Sequence, residues 1–205
     1  NKYASEQQKQ SLYFTNRPQW LMKLDNTIQA MQLLGRNVVK EGRSILKKKK
    51  KTTKANTLYN DFSYLVTAEQ DSVKLTFDFG GASEYWDFVD EGVRGSGGYK
   101  GSGKMRGGKS PFRFRGNNIA RGVVAKWIEN KPLKLRGADG KFITKNKSNI
   151  KSAAFLIGRA IAQRGLTRTQ FFSKPFTEEL NKQSDAILDA FANDLEKQLE
   201  LVIGK

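Results

Sequence analysis

Two short stretches in the first half of the chain carry an apolar residue at every second position, and they constrain the fold more than any other feature. The apolar positions are Phe62, Tyr64 and Val66 in the first stretch, and Val73, Leu75, Phe77 and Phe79 in the second. A polar break, AEQDS, separates the two stretches. Period-two alternation places apolar side chains on one face of a strand, and a short polar break joins antiparallel neighbours. The sequence therefore predicts an antiparallel hairpin with one buried face.

Long helical patterns lie on both sides of this hairpin. With Pro18 in its first turn, a first pattern of apolar residues at steps of three and four continues to the lysine run at 47–51. A second pattern begins at Thr177, a residue type suited to a helix N-cap, and continues toward the end of the chain. The predicted inward stripe of this last helix consists of Leu180, Ile187, Phe191, Leu195, Leu199 and Val202. The sequence predicts an α+β fold with long N- and C-terminal helices packed on a small antiparallel sheet.

The region between the hairpin and the last helix contains shorter patterns. Residues 82–92 predict a short helix or turn that is closed by Gly92. Helices are expected over 117–130 and from about Asn149 to Gly165, and the Asp-Gly pair within 135–142 predicts a turn. The residues of the second of these helices that are expected to face inward are Ala153, Ile157, Ala160 and Ile161.

The segment 92–110 interrupts this periodicity. Glycine occupies eight of its 19 positions, and no apolar period survives. This composition predicts a long Gly/Lys-rich loop that is flexible and basic. The polar, mostly aperiodic start of the chain predicts an arm that becomes ordered against a partner. We therefore expect an N-terminal arm, 1–17, and a single α+β domain, 18–205, with a flexible basic loop at 92–110.

The composition excludes several kinds of chemistry. Cysteine and histidine are both absent from the 205 residues, which excludes disulfides, common zinc sites, histidine bases and cysteine nucleophiles. No apolar run is long enough to span a bilayer, and the polar start does not resemble a signal peptide. We expect a protein that is not an enzyme, needs no cofactor or metal, and has no membrane partner.

Residues 103–110, GKMRGGKS, match the phosphate-binding pattern G-x-x-x-x-G-K-[ST]. Such a loop joins a buried strand to a helix, so that backbone N–H groups and the helix N-terminus converge on the phosphates. Here the match follows glycine-rich sequence, and it precedes Pro111 and the alternating FRFR, which favours extended structure. We interpret the match as a coincidence of composition and do not expect nucleotide hydrolysis.

The charge of the chain is large and unevenly distributed. The formal net charge is +17, which predicts attraction to nucleic acid, anionic membranes or acidic proteins. Residues 92–174 contain 20 Lys and Arg but only Glu129 and Asp139 as acids. From Thr177 onward, seven acids face three lysines. The acidic end can therefore attract the basic middle, within one subunit or between neighbours.

The basic loop is the main candidate for a contact surface. Its cations, with Tyr99, Phe112 and Phe114 between them, can hold phosphates, stack on bases or contact a partner protein; alternatively, they only keep an exposed loop soluble. The acids between Glu84 and Glu91 are read as a solvated or subunit-contacting patch, with Mg²⁺ binding as the alternative. The candidate residues for subunit or DNA contact are Arg94, Lys100, Lys104, Arg106, Lys109, Arg113 and Arg115.

A long opening helix is followed by the hairpin, by EYWDFVDEGVRG, by a loop, and by closing helices around IGRAIAQRGLTRTQFFSKPF. This order resembles the head–tail joining and tail-completion proteins of the neck of tailed bacteriophages. In that family an aromatic-acidic-glycine segment follows the hairpin, and Tyr85, Phe88, Val89, Glu91 and Gly92 match it here. The family's usual Pro and Thr-Gly ahead of the first strand are replaced by TTKANTL.

The resemblance implies a structural protein of the virion, located in the neck or tail and present in the host cytoplasm during assembly. Such a protein forms a homo-oligomeric ring between portal and tail or caps the tail tube, with portal, adaptor and tail proteins as neighbours and DNA passing through. Tyr85, Trp86 and Phe88 are then expected to anchor the segment before the loop, although ordinary core packing explains these aromatics as well.

The alternative is a basic nucleic-acid-binding protein that acts outside the virion. The net charge of +17 and the aromatics among the cations favour it. No helix-turn-helix, zinc-finger, RNP or KH pattern is present, so the sequence predicts only non-specific DNA contact. Tight duplex binding at physiological salt would favour this alternative over the structural role.

Overall fold

The computed structural model of the protein describes residues 23–49, 57–69, 72–100, 104–116, 118–130 and 133–203. Its helices are α1 (Asp25–Lys48), α2 (Thr57–Asp61), α3 (Trp86–Glu91), α4 (Arg121–Asn130), α5 (Lys147–Arg164) and α6 (Ser173–Ile203). Its strands are β1 (Ser63–Ala68), β2 (Val73–Asp78), β3 (Val93–Arg94), β4 (Leu135–Arg136), β5 (Phe142–Ile143) and β6 (Gly165–Leu166), and a 3-10 turn covers Gly80–Ala82. The mixed α+β architecture with long first and last helices confirms the predicted fold class.

The predicted hairpin is formed by β1 and β2. The two strands are antiparallel, and the register places Tyr64 opposite Phe77 and Val66 opposite Leu75. These four side chains are buried or half-buried, whereas Leu65 between them is exposed. The hairpin packs its apolar face on α1, because the Tyr64 ring lies directly over Gly35, where a side chain would collide with it. The alternation in the sequence thus identified both the strands and their buried face.

The main hydrophobic core lies between α1, the hairpin and the start of α6, and aromatic rings fill much of it. The Phe62 ring stacks on Phe79 with centroids 5.1 Å apart, and Phe79 stacks on Trp86 at 4.2 Å. Phe171 meets Phe62 edge-on at 5.6 Å. Phe62 and Phe171 are fully buried. Stacked and edge-to-face geometries are the favourable ones for aromatic pairs, so this cluster fixes the position of α6 against the hairpin.

A buried carboxylate holds the N-terminus of α1. The residue before the helix, Leu24, has no capping side chain. Instead, both oxygens of Asp194 on α6 accept hydrogen bonds: Oδ1 from the backbone and side-chain N–H groups of Asn26, at 3.2 and 2.7 Å, and Oδ2 from the backbone N–H and hydroxyl of Thr27, both at 2.8 Å. A negative charge at this end of a helix also complements the helix dipole. Asp194 therefore caps α1 from the far end of the chain.

A second buried carboxylate, Asp90, holds the start of α6. Its Oδ1 accepts a hydrogen bond of 2.8 Å from the backbone N–H of Phe172, and the N–H of Ser173 lies within 3.4 Å of both oxygens. The prediction that α6 begins with Thr177 as its cap was wrong. The helix begins at Ser173, and the Thr177 hydroxyl donates to the backbone oxygen of Ser173 inside the first turn. Asp90 supplies the acceptor that was expected from Thr177.

The observed helix α1 agrees with the prediction at its C-terminal end but not at its start. The helix α1 begins at Asp25, and Lys23 and Leu24 before it are not helical, so the prediction of one continuous helix from Pro18 was wrong at these two residues. The helix ends at Lys48, within the lysine run as expected. The arm at 1–17 and the predicted helix start at Pro18 lie outside the described residues.

A second, smaller core joins α4, the β4–β5 hairpin and α5. Its buried members are Val124, Ile128, Leu135, Ile150 and Ala154. The predicted helices and the turn between β4 and β5 are confirmed. The buried face of α5 is turned by about one residue from the predicted one: Ile150, Ala154, Gly158 and Ala162 are buried, whereas Ala153, Ile157, Ala160 and Ile161 are half-buried. The reason is the close approach of Asn118 and Ile119 to Gly158, which has no side chain to hold them away.

Candidate functional site

Backbone hydrogen bonds fix much of the glycine-rich segment 92–110. The strand β3 pairs antiparallel with β6, and the Arg94 N–H donates to the oxygen of Phe112 at 2.8 Å. The Ser96 N–H donates to Ala162 at 2.9 Å, and the Arg106 N–H donates to Arg164 at 2.7 Å. The segment is therefore attached to the C-terminal end of α5 from both sides, rather than being a loop without structure of its own. Residues 101–103 lie outside the described residues.

The glycines of this segment serve close backbone packing at particular positions. Gly107 has a φ of +67°, and a side chain there would collide with the backbone oxygen of Val93. A positive φ and a close backbone approach are both conditions that favour glycine. At Gly108 the surrounding space is open. Only part of the glycine content therefore reflects flexibility.

Ser110, the last residue of the phosphate-loop match, is buried and hydrogen-bonded within the protein. Its hydroxyl donates to the oxygen of Gly92 at 2.7 Å and accepts from the Phe112 N–H at 3.1 Å. The chain then passes through an isolated bridge between Arg113 and Arg94, and the next helix begins only at Arg121. A phosphate-binding loop requires a helix directly after the Ser or Thr. The hydroxyl of Ser110 closes a turn instead.

The seven candidate cations all have exposed side chains. The Arg113 guanidinium donates to the oxygen of Ser96 at 3.2 Å. Salt bridges between described residues, Lys174–Glu178 and Lys182–Glu179, both lie within α6. The backbone of the segment is thus held against α5 while its charges point outward without acidic partners among the described residues. We call Arg94, Lys100, Lys104, Arg106, Lys109, Arg113 and Arg115 the loop cations.

A groove of about 470 Å³ lies between this segment and α5. Its floor is apolar, with Leu156, Ile157 and Ala160, and Leu156 is 63% exposed. Lys100 and Arg159 line the same groove. The groove could not be predicted from the sequence, because α5 and the loop are distant in the chain and meet only in the folded protein. We call it the basic groove.

The three predicted anchoring aromatics have different surroundings. Trp86 belongs to the main core, where it stacks on Phe79. Phe88 is partly exposed and meets Phe112 edge-on at 4.5 Å, so it joins α3 to the end of the glycine-rich segment. Tyr85 lies in the turn before α3, with its N–H donating to the oxygen of Ala82 at 3.0 Å. The anchoring role assigned to all three stays a prediction, and these contacts support it for Trp86 and Phe88.

The acids near the loop do not form a common site. Asp90 is buried at the start of α6, and Asp87 Oδ1 accepts from the N–H of its neighbour Phe88 at 2.8 Å. Within the described ranges, no three carboxylates lie close enough to hold a metal ion. The prediction that Asp90 belongs to a solvated or subunit-contacting patch was wrong, because the fold buries it as a capping residue of α6.

The outer face of α6 is apolar and acidic. The residues of the predicted inward stripe are not uniformly buried: Ile187 and Leu195 are half-buried, but Leu180, Phe191 and Leu199 are exposed, Leu199 by 59%. Leu188 is 65% exposed. The face in contact with α1 contains Gln183 and Asp194 instead. Asp194 contacts the first turn of α1. The turns of α6 that follow Asp194 therefore lie beyond the N-terminus of α1. We define the α6 outer face as Leu180, Asp185, Leu188, Asp189, Phe191, Glu196, Leu199 and Glu200.

No helix in the described part of the chain is long and apolar enough to cross a membrane. Comparisons with protein-family models, with curated proteins and with solved structures found no match for this chain. The arguments about function therefore depend on the surfaces described above and on the order of the elements.

Proposed function

We propose that this protein is a non-enzymatic structural component of a tailed-phage virion, which assembles into a ring of identical copies in the neck between portal and tail. The observation that carries the proposal is the presence, on one chain, of two different surfaces that complement each other. The α6 outer face combines exposed Leu188 and Leu199 with exposed acids. The basic groove combines an apolar floor with Lys100 and Arg159.

Complementary surfaces at different places on one molecule favour head-to-tail association. An exposed apolar patch with a polar rim is typical of a protein–protein contact. When the two contacting surfaces differ, each copy uses its groove for one neighbour and its α6 for the other, and the series closes into a ring if the rotation permits. Opposite charges accelerate the encounter and oppose other pairings.

The order of the elements supports the choice of the phage neck. A long helix, a hairpin, an aromatic-acidic-glycine segment, a basic loop and closing helices are the features that resemble the head–tail joining and tail-completion proteins. In such a ring the loop cations contact either a neighbouring protein, such as the portal, an adaptor or the tail, or the DNA that passes through.

Assembly is tested by measuring mass in solution and by negative-stain electron microscopy. The wild type is expected to form closed oligomers that the double substitution Leu188→Ser and Leu199→Ser converts to monomers. Leu33→Ser is the matched control, because Leu33 is an exposed leucine on α1, away from the α6 outer face. A wild type that stays monomeric from low to physiological salt, over the whole accessible concentration range, would contradict the proposal.

The contact itself is tested by disulfide cross-linking. The sequence contains no cysteine, so only the introduced cysteines can form a disulfide. Mixing the Arg159→Cys and Glu200→Cys variants under mild oxidation is expected to give a dimer across the proposed contact. Mixing Arg159→Cys with Lys40→Cys, on the exposed side of α1, is the control. Equal cross-linking in both mixtures would show that collision, rather than a specific contact, joins the chains.

A nucleic-acid-binding protein that acts outside the virion is the second candidate, and the exposed loop cations, which have no acidic partner in the described part of the chain, favour it. The discriminating measurement is the fluorescence anisotropy of a sequence-random duplex. Binding in the nanomolar range at physiological salt by a monomeric protein would favour this candidate, because non-specific contact gives dissociation constants of about 10⁻⁴ to 10⁻⁶ M.

A further inference from the structure

The small hairpin of β4 and β5 presents an aromatic side chain to solvent among cations. Leu135 pairs with Ile143, and Arg136 pairs with Phe142. Leu135 is buried and Ile143 packs on the second core. Since side chains alternate across a strand, Arg136 and Phe142 lie on the opposite, solvent-facing side. Phe142 is 60% exposed there.

Two cations flank the exposed ring. The guanidinium carbon of Arg136 lies 4.5 Å from the centroid of the Phe142 ring, and the ammonium of Lys134 lies 5.4 Å from it. The Arg136 guanidinium also donates to the oxygen of Gly140 at 3.0 Å. Cation–π contacts and this hydrogen bond hold the ring and the guanidinium in place before any ligand arrives.

The turn between the strands is also fixed. The Gly137 N–H donates to the oxygen of Lys141 at 2.9 Å, and the Asp139 carboxylate accepts from the Lys141 N–H at 3.2 Å. Gly140 completes the turn with a φ of +76°. The aromatic ring is therefore carried by a hairpin whose turn is closed by hydrogen bonds.

The part of the sequence that contains the hairpin is strongly basic. The described residues between 118 and 164 include ten Lys and Arg but only Glu129 and Asp139 as acids, a net charge of +8. The Asp139 carboxylate is engaged in the turn. An anionic ligand is the partner that this balance favours.

We propose that the solvent-facing side of the β4–β5 hairpin binds a single strand of nucleic acid. An unpaired base stacks on Phe142, and the flanking phosphates lie on Lys134, Arg136 and Lys141. Aromatic rings that stack on bases, combined with cations along the backbone, are the usual means of sequence-independent single-strand binding. The inference goes beyond ring assembly and does not require it, because one copy carries the whole surface.

An acidic protein is a less suitable ligand for this surface. Protein interfaces place their aromatic anchors in an apolar, charge-depleted centre with a polar rim. Around Phe142 the arrangement is the reverse, because the charged groups of Lys134 and Arg136 lie 5.4 and 4.5 Å from the ring centroid. A base can stack on such a ring while its own phosphates neutralise the cations.

The test is fluorescence anisotropy with the full chain and a labelled oligo(dT) of about 15 nucleotides, a length within known single-strand site sizes. Phe142→Ala is expected to weaken binding about 5- to 150-fold, and Phe142→Trp is expected to retain it. Leu33→Ala replaces an exposed apolar residue on α1, away from the β4–β5 hairpin and the α6 outer face; it is the matched control and is expected to bind as the wild type does. Circular dichroism of each variant confirms that the fold is intact.

The charge contribution is measured separately by repeating the titration over a range of salt. Lys134→Ala is expected to reduce the slope of log K against log salt by about 0.7, the contribution of one phosphate of a single strand. Lys40→Ala on α1 is expected to leave the slope unchanged.

Three results would overturn the inference. The first is absence of binding even at low salt. The second is equal affinity of Phe142→Ala and the wild type, because charge alone would then explain binding. The third is displacement of the oligonucleotide by polyglutamate at equal charge concentration, with no dependence on Phe142, which would assign the surface to acidic proteins. None of these results depends on whether the protein forms rings, so failure here and failure of ring assembly are distinguishable.

Discussion

Asp90 and Asp194 hold the N-termini of α6 and α1, although neither is the residue directly before the helix that it caps. Asp194 provides the acceptors that Leu24 cannot provide, and Asp90 replaces the expected Thr177. Both carboxylates are 2% exposed. Buried acceptors that satisfy the free N–H groups at a helix start contribute to stability, and their removal leaves donors without partners.

Replacing Asp194 with alanine is expected to lower the free energy of unfolding by about 1 to 3 kcal/mol, because the N–H groups of Asn26 and Thr27 lose their acceptors in a buried place. Asp189→Ala, an exposed position on the same helix, is expected to stay within about 0.5 kcal/mol of the wild type. Urea denaturation followed by circular dichroism gives both values. Equal stability of the two variants would show that the carboxylate of Asp194 contributes nothing as a cap.

Glu179 makes stability depend on pH. A hydrogen bond from the Asn37 side chain is the main cause that holds the pKa of Glu179 below its ordinary value of 4.5; partial burial opposes it, and Gln183 and Lys182 lower the pKa further. Because the pKa of Glu179 is lower in the folded state than in the unfolded state, the ionised carboxylate stabilises the fold at pH values above 4.5. This contribution is lost as the pH falls through the folded-state pKa.

Glu179→Gln is therefore expected to be less stable than the wild type at neutral pH, and the difference is expected to shrink as the pH falls below 4.5. The measurement is urea denaturation of both proteins at several pH values. Glu178→Gln is the control, since Glu178 lies one position away and forms an exposed pair with Lys174. A difference that is the same at every pH would exclude a role for the ionised carboxylate.

At the scale of elements, the sequence predicted the features that depend only on the spacing of apolar residues within one element. The hairpin β1–β2 and both long helices could be read from their periodicity, since the spacing of apolar residues is a property of the element itself. The buried faces of α5 and α6 could not be read in this way, because they depend on the elements that pack against them. Asn118 and Ile119, just before α4, approach α5 closely at Gly158. The helix α1 covers only part of α6. Strands of two residues, such as β3 and β6, carry no readable period.

The candidate surfaces were predictable to a similar extent. The exposure of the loop cations follows from their residue type. The basic groove could not be predicted, because Arg159 and Lys100 meet only through tertiary structure. Phe142 was not among the predicted site residues, because the pattern at 135–142 indicates only a turn. A phenylalanine between cations on the polar side of a short hairpin is the signal that would have identified it.

The contact between α1 and the residues before α6 depends on Gly42. A side chain there would meet the backbone oxygen of Phe171 and the ring of Phe62, each at 2.6 Å. Gly42→Ala is expected to destabilise the protein, because overpacking costs about 1 to 3 kcal/mol and exceeds the gain in helix propensity of about 1 kcal/mol. Thermal unfolding of the variant measures the effect.

Gly122→Ala in α4 is the matched control for Gly42→Ala. Gly122 is exposed, and the space around its missing side chain is open. The substitution is expected to stabilise the protein by about 0.5 to 1 kcal/mol through helix propensity alone. If both variants change stability in the same direction, the close approach at Gly42 is not what determines its residue type.

At the scale of the whole molecule, the two cores are built from different residues and different elements. Ile128 is fully buried in the second core, and Val38 is fully buried in the main one. Ile128→Ala is expected to cost about 2 to 5 kcal/mol locally. The loss of amide protection in hydrogen exchange is expected to be confined to α4, the β4–β5 hairpin and α5.

Val38→Ala provides the comparison for that experiment. It removes apolar volume from the core shared by α1, the β1–β2 hairpin and α6, so protection is expected to fall across those elements. If Ile128→Ala lowers protection equally in α1 and α6, the molecule unfolds as a single cooperative unit.

The position of Asp194 also determines when the protein can complete its fold. Thr27 receives its acceptor from a residue 167 positions later in the chain. During synthesis, α1 leaves the ribosome long before α6 exists, and pairing across such a distance is slow to form. The second core needs only neighbouring segments and can form while the chain is still growing. The helix α1 is thus translated well before its cap, and its N-terminus is secured only after Asp194 has been synthesised.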